Sequence, residues 1–359
     1  MRPLLYAIAA LVAASSASAG PVPADSIRWR LAGEEARLTT FGGRPARYLR
    51  YADARLTDAA FVTGVIEFDV AFGITQSFPG LAFRGQDDAN YERLYFRPHE
   101  SGQLDAIQYT PVFHGSNAWQ IYYGDGYMAS RSFRFDSWMH VRLEVADQSA
   151  RLLIDGEPAL AIPDLKRERR PGFLALIGGA GTYFADFRYE PGTPPAVPPP
   201  RQPQLPPGLV RQWAVSPALS EADAFATAAD ERAAVNWTPL QVETNGIANL
   251  ARVANFTADR PMSLTRVTVE SEGERTVRMR FGFSDKVAVF LNGTLLYVGE
   301  DSYQSRDFRF LGTVGLYDSL FLHLRSGANV VLLVVNESFG GGAAMAVFDD
   351  ASGLRIKAP

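Results

Sequence analysis

Short stretches in which apolar and polar residues alternate recur along the chain, and this spacing predicts β-strands. In VIEFDV (65–70), Ile66, Phe68 and Val70 face one way and Glu67 and Asp69 the other. HVRLEV (140–145) repeats the pattern with Val141, Leu143 and Val145 on the apolar side. ARLLIDGEPAL (150–160) predicts a hairpin, because Asp155-Gly156 suits the two left-handed positions of a tight turn. FLALIG and YFADFRY, beginning at Phe173 and Tyr183, add two more strands. SLTRVTVE (263–270), TVRMRFGF (276–283), KVAVFLNGTLLYVG (286–299) and NVVLLVVNE (329–337) continue the theme, with Asn292-Gly293 as a second hairpin signal. The Ala-rich stretch 220–234 is the one helix candidate, with Ser220 as its cap and acids in its first turn. Many strands joined by turn-rich segments predict an all-β protein built of β-sandwiches of jelly-roll type.

The patterned chain is interrupted once, by PGTPPAVPPPRQPQLPPG at 191–208. Proline fixes φ and has no amide proton, so this piece is expected to be an extended polyproline linker that holds two blocks apart. The blocks are 26–190 and 209–359, in keeping with a length that is large for one domain. Residues 1–19 have the form of a signal peptide: Arg2 at the start, an apolar run over 4–14, and Ala17-Ser18-Ala19 for cleavage. That run is too short to span a bilayer. The expectation is an exported protein, periplasmic or extracellular, with no membrane insertion.

Composition adds exclusions. Hydrophobic residues make up 47% and charged residues 21%, which fits a well-cored globular protein. There is no cysteine, so disulfides, thiol catalysis and zinc-thiolate sites are excluded. The net charge of −4 offers no field for nucleic acid, and the one basic run, RERR at 167–170 beside Lys166, reads as a solvated turn before Pro171. No G-x-S-x-G elbow and no His-x-x-x-His pair occurs. SFGGGAAM (338–345) lacks the Lys-Ser/Thr of a phosphate loop and reads instead as close backbone packing at a sandwich corner.

Five stretches of the first block, GVIEFDV at Gly64, GLAFRGQDDANYERLYFRP at Gly80, WMHVRLEV at Trp138, ARLLIDGEPAL at Ala150 and GTYFADFRY at Gly181, occur in an order that resembles the concanavalin A-like lectin/glucanase superfamily, its laminin-G-like and keto-disaccharide-hydrolase-like branches especially. In the second block, FGFSDKVAVFLNGTLLYVG at Phe281 and LHLRSGANVVLLVVNESFGGGAAM at Leu322 resemble galactose-binding-like jelly-roll domains. The first resemblance implies a sandwich that binds or cleaves carbohydrate. Glucanases of that superfamily carry E-x-D-x-x-E on one strand. Here Glu67 and Asp69 begin the pattern and Phe72 takes the third place, so the catalytic pair that the resemblance would imply is incomplete.

The stretch FPGLAFRGQDDANYERLYFRPH (78–99) is the focus for chemistry. Parity sends Leu94 and Phe96 to the core and leaves Arg93, Tyr95 and Arg97 on the other face. With Arg84 on the preceding strand and with Glu67 and Asp69, these form a candidate sugar-binding face. Carboxylates accept from vicinal hydroxyls, and guanidinium groups donate in a fixed fork. Tyr109, Trp119 and Tyr122 supply rings for stacking on sugars. Glu67, Asp69, Glu92 and His114 are candidates for acid–base catalysis. Asp87, Asp88 and Asn90 place oxygen ligands at a spacing that suits calcium, and no other cofactor is expected. The resulting expectation is a carbohydrate-binding protein that recognises a glycan, or a glycan-bearing surface, on the concave face of its first domain. A glycoside hydrolase or related sugar-processing enzyme is the first alternative, and a protein-binding adhesion or structural module the second. Oligomeric state is left open.

Overall fold

The structure, a computed structural model, describes residues 20–198, 204–230 and 234–357. The expected signal peptide and the middle of the proline-rich segment lie outside the described residues.

In the first block the strands are β1 (Trp29–Phe41), β2 (Arg44–Leu56), β3 (Gly64–Phe72), β4 (Gly80–Asp87), β5 (Asn90–Phe96), β6 (Ile107–Phe113), β7 (Ser116–Asn117), β8 (Met128–Ala129), β9 (Met139–Val145), β10 (Ala150–Ile154), β11 (Glu157–Ile162), β12 (Phe173–Ile177) and β13 (Thr182–Pro191). They are hydrogen-bonded in the order β11-β10-β9-β3-β13-β2-β12-β4-β5-β6-β7, with β1 on β2 and β8 on β6. Strand β2 folds this ribbon into two layers. Its residues Arg47, Tyr48 and Leu49 pair with β13, while Asp53, Ala54 and Arg55 pair with β12. The changeover falls at Tyr51, whose φ is 45°. It is accommodated by Gly33 on β1 (φ 114°), where a Cβ would lie 2.3 Å from the Tyr51 carbonyl oxygen.

The core fills the space between these layers. Ile66, Phe68 and Val70 of β3 and Val141, Leu143 and Val145 of β9 bury in one cluster with Leu81 and Phe83 of β4 and Leu94 and Phe96 of β5. Each such side chain contributes about 1.5–3 kcal/mol relative to exposure. The alternation seen in the sequence is therefore the alternation between this core and the two outer faces. The Asp155-Gly156 turn joins β10 and β11 with φ of 54° and 82°, as its residue types require.

In the second block β14 (Gln212–Val215) is followed by the helix α1 (Glu221–Ala229), then β15 (Thr238–Gln241), β16 (Ala248–Asn249), β17 (Met262–Ser271), β18 (Arg275–Ser284), β19 (Lys286–Leu291), β20 (Thr294–Glu300), β21 (Asp318–Leu324), β22 (Gly327–Asn336), β23 (Ala343–Phe348) and β24 (Leu354–Lys357). Ser220 caps α1 by accepting the Asp223 amide. A sheet of order β15-β14-β17-β22-β19-β20, with β24 on β17, packs on a sheet of order β16-β23-β18-β21. Val267, Val289 and Val331 of the first meet Met279, Phe281, Leu322 and Phe348 of the second in a single core. Asn292 and Gly293, with φ of 50° and 76°, turn β19 into β20. The protein is all-β, of two sandwiches, as the strand pattern predicts.

The two blocks do not stand apart, contrary to the expectation drawn from the proline-rich segment. Ala118, Ile121 and Tyr122, from a loop of the first block, bury together with Leu209, Ile247, Val314, Met345 and Val347 of the second. Glu243 of the second block accepts the Tyr122 hydroxyl proton and pairs with Lys166 at 2.9 Å. Proline constrains its own backbone but says nothing about the apolar surface on either side of it. The apolar loop residues had to be buried somewhere, and the neighbouring block supplies the place.

Candidate functional site

The first sandwich has two outer faces, and the sequence candidates are split between them. Glu67 and Asp69 leave β3 away from the core and meet a set of cations on neighbouring strands. Glu67 accepts from Arg188 at 2.7 Å and Arg142 at 3.1 Å. Asp69 pairs with His140 Nδ1 at 2.7 Å and with Arg44 at 2.5 Å. The Arg188 hydrogen bond, acting against partial burial, holds the Glu67 carboxyl down at about 2. Every acidic oxygen that could meet a sugar is committed to a neighbour, and Glu67 is too acidic to carry a proton at neutral pH. The Arg/Tyr set of β5 leaves the core in the opposite direction, from the other layer. The single acid-and-arginine face expected from parity is thus two separate surfaces.

The face of β5 and β6 is the one the second block covers at its end. There the blocks enclose a cleft of about 960 Å³. Its floor holds Tyr95 and Gln108, which are paired across the two strands and joined by a hydrogen bond from the Tyr95 hydroxyl. Arg97, His99 and Glu100 form one side, with Arg97 engaged by Asp105 and lying 3.7 Å from Glu100. Burial and the Arg97 charge hold His99 below the usual imidazole value. His114 donates from Nδ1 to the Ala251 carbonyl at 2.8 Å, since a carbonyl can only accept, and its neutral form then keeps Nε2 as an acceptor. Arg93 stands just beside this floor, its guanidinium 4.8 Å from the Tyr95 ring and bonded to the Phe78 carbonyl.

Aromatic rings from both blocks line the same cleft. Trp119 meets Phe339 edge-on at 5.7 Å and Tyr303 at 6.4 Å. Phe78 (40%), Tyr303 (46%) and Phe339 (57%) keep large exposures. A hydrophobic ring left in solvent at the mouth of a cleft is a surface awaiting a partner. The loop that presents Phe339 is fixed from below. The buried Asp285 carboxylate accepts the Ser338 amide, the Ser338 hydroxyl and the Phe339 amide at 2.7–2.8 Å. Gly340 and Gly341 press this loop onto the first block, where a Cβ would lie 2.4 Å from Gln120 and 2.8 Å from Ala118 respectively.

Glu337 is the unusual carboxyl of the cleft wall. One oxygen accepts the Gly341 amide at 3.1 Å, and the other is buried with no partner. Burial, reinforced by the nearby Asp285 carboxylate, pushes its pKa up to about 8. At neutral pH this wall residue therefore carries a proton rather than a charge.

The remaining candidates lie outside the cleft lining. Arg84 is wholly buried, with Nε and Nη2 on the carbonyls of Val62, Ala146 and Asp147. Glu92 has the parity of Leu94 and faces inward, where burial raises its pKa and it accepts from the Tyr109 hydroxyl and the Arg167 amide. Tyr109 and Tyr122 are themselves buried. None of these four reaches a ligand in the cleft; the half-buried Arg97, His114 and Trp119 line it, and the buried Tyr95 forms part of its floor. Asp87 caps its own turn by accepting from the Ala89 amide and the Asn90 side chain, and Asp88 pairs with Arg55. Among the described residues no group of three or more His, Asp or Glu is placed to hold a metal ion. The RERR run at 167–170 is solvated over Glu168, Arg169 and Arg170, with Arg167 half-buried, while Lys166 beside it is 8% exposed and sits in the interface between the blocks.

No protein-family model and no curated protein matches the chain. Among solved structures it is similar to the carbohydrate-binding module CBM66 from Bacillus subtilis (11% identity, 45% of this chain and 95% of that one, TM-score 0.35). It is also similar to a prokaryotic β-1,3-1,4-glucanase (lichenase) derived from a mouse hindgut metagenome (12%, 48% and 98%, TM-score 0.36). A third is a galectin-like protein of unknown function from Bacillus subtilis (12%, 45% and 88%, TM-score 0.33). No helix among the described residues is long and apolar enough to cross a membrane.

Proposed function

We propose that the protein is exported, to the periplasm or the extracellular space, and binds a glycan in the cleft between its two sandwiches. The observation that carries this reading is the lining of that cleft: the half-buried Trp119 ring and the exposed Tyr303, Phe339 and Phe78 rings around the hydrogen-bonding groups of Tyr95, Gln108, Asn117 and His99. Aromatic faces cover the CH surfaces of a sugar, while amide, phenol and imidazole groups match its hydroxyls. The volume suits a ligand of several rings. The β5–β6 face of the first sandwich is part of this site and the second sandwich builds the opposite wall, so the site belongs to both. The test is a glycan array probed with the mature full-length protein. Binding to at least one glycan, lost in Trp119→Ala, is expected; a folded protein that binds none would remove the reading.

Glycoside cleavage is the second reading, and Glu337 favours it. A carboxyl that holds its proton at neutral pH is equipped as a general acid, and Glu100 lines the same cleft as a second carboxyl. Release of reducing sugar by the wild type but not by Glu337→Gln, with binding retained, would establish it.

A further inference from the structure

His114 also borders a second, smaller pocket of about 280 Å³, to which Lys166 and Arg167, Glu168 and Arg170 of the basic run contribute. Five cations line it: Arg84, Lys166, Arg167 and Arg170 from the first block and Arg252 from the second; Glu168 is the one acid in its lining. Three of the cations are neutralised locally. Lys166 pairs with Asp164 and Glu243, Arg252 with Glu243, and Arg170 with Glu168.

Arg84 and Arg167 are not neutralised in this way. Arg84 is 0% exposed, three of its donor contacts go to backbone carbonyls, and its Nη1 is buried without a partner. Arg167 likewise has a buried Nε with no partner. Its guanidinium packs 4.5 Å from the Phe113 ring, and Arg252 packs on the same ring at 4.3 Å. The nearby carboxyl, Glu92, spends its oxygens on the Tyr109 hydroxyl and the Arg167 amide and makes no side-chain pair with either guanidinium. A buried guanidinium donor with nothing to bond is costly, and one whose orientation is already fixed by other bonds is prepared for an anion.

We propose that this pocket binds an oxyanion group of sulfate or carboxylate type, free in solution or carried by an acidic glycan, on the unused N–H groups of Arg84 and Arg167. The inference goes beyond the cleft reading and does not rest on it. It also gives the basic run a role that charge composition alone does not suggest.

The experiment titrates the mature full-length protein with sodium sulfate against sodium chloride at matched ionic strength, following heat of binding and unfolding temperature. Saturable sulfate binding is expected, weakened at least about tenfold by Arg167→Gln, which removes charge-assisted hydrogen bonds from a partly exposed residue. Arg84→Met should do the same, but it removes buried bonds and so serves only if it folds. A sulfated disaccharide and its desulfated counterpart form the second arm. Tighter binding of the sulfated sugar than of inorganic sulfate, with the gain lost in Arg167→Gln, assigns the anion to a glycan; equal binding assigns it to the free ion. Trp119→Ala should leave the sulfate response unchanged, which separates failure of the pocket from failure of the cleft. No saturable response in the folded wild type, or an undiminished response in Arg167→Gln, overturns the proposal.

Discussion

The two outer faces of the first sandwich carry similar residue types and differ in how those residues are satisfied. On the β3 face, Glu67 and Asp69 are met by Arg44, Arg142, Arg188 and His140, so the charges answer one another. On the β5–β6 face buried nitrogens of Arg93, Arg97 and His99 lack partners, the Phe78 ring is exposed, and a second sandwich stands over one end with a carboxyl that has an unbonded oxygen. Charged density alone is a poor marker of a site. A face that closes its own hydrogen bonds needs no ligand, while one that leaves rings and donors unmatched does.

The contrast can be broken at its root by detaching the second block. Glu243 is buried between Lys166, Arg252 and Tyr122, and burial, which alone would raise its pKa, is outweighed by those cations, so it stays ionised. Glu243→Ala leaves the buried Lys166 and the half-buried Arg252 without their shared partner and should cost about 3–5 kcal/mol in urea unfolding. Cleft binding should fall with it, while the β3 face keeps its ion pairs. Next in size, Trp119→Ala should weaken glycan binding about tenfold, equivalent to about 1.4 kcal/mol, without moving the unfolding midpoint by a comparable amount.

Titration sharpens the same comparison, because the two faces hold carboxyls displaced in opposite directions. Glu337 has its pKa raised from an ordinary 4.5 to about 8. Between those values the folded chain holds a proton that the unfolded chain releases, so this group's stabilisation is complete below 4.5 and is lost as pH rises through 8. Glu337→Gln should flatten that decline in a series of denaturation curves. Glu67 is lowered to about 2. Its contribution is present above 4.5 and is lost as pH falls toward 2. Glu67→Gln should remove only that acid-side dependence, at a cost of about 1 kcal/mol or less, because its partners are solvent-exposed.

Much of the fold could be read from the sequence because its signals are local. Asp155-Gly156 and Asn292-Gly293 mark their hairpins through backbone conformation, and the parity of Ile66, Phe68 and Val70 marks a core. The long β1–β2 hairpin was hidden because β1 is largely exposed and its residues do not alternate. The site was harder for a different reason. Parity tells which residues leave a strand's core, but a sandwich has two outer faces, and only strand order separates Glu67 from Tyr95. Glu92, a candidate for acid–base catalysis by residue type, shares the inward parity of Leu94 and Phe96 and is buried. Tyr303, Glu337 and Phe339 become part of the site through packing of one block on the other, for which the available clue was SFGGG at 338–342, a glycine run that allows close approach. That run was read as a corner within one sandwich, and the close approach proved to be to the other sandwich.

The central claim is that ligand recognition belongs to the cleft between the sandwiches and not to the acid-rich β3 face. One measurement addresses it directly: a glycan array probed in parallel with mature full-length wild type, Trp119→Ala and Asp69→Asn. The cleft account expects the wild-type signal to be retained by Asp69→Asn and reduced about tenfold or more by Trp119→Ala. Loss in Asp69→Asn with full retention in Trp119→Ala would contradict it and return the site to the β3 face.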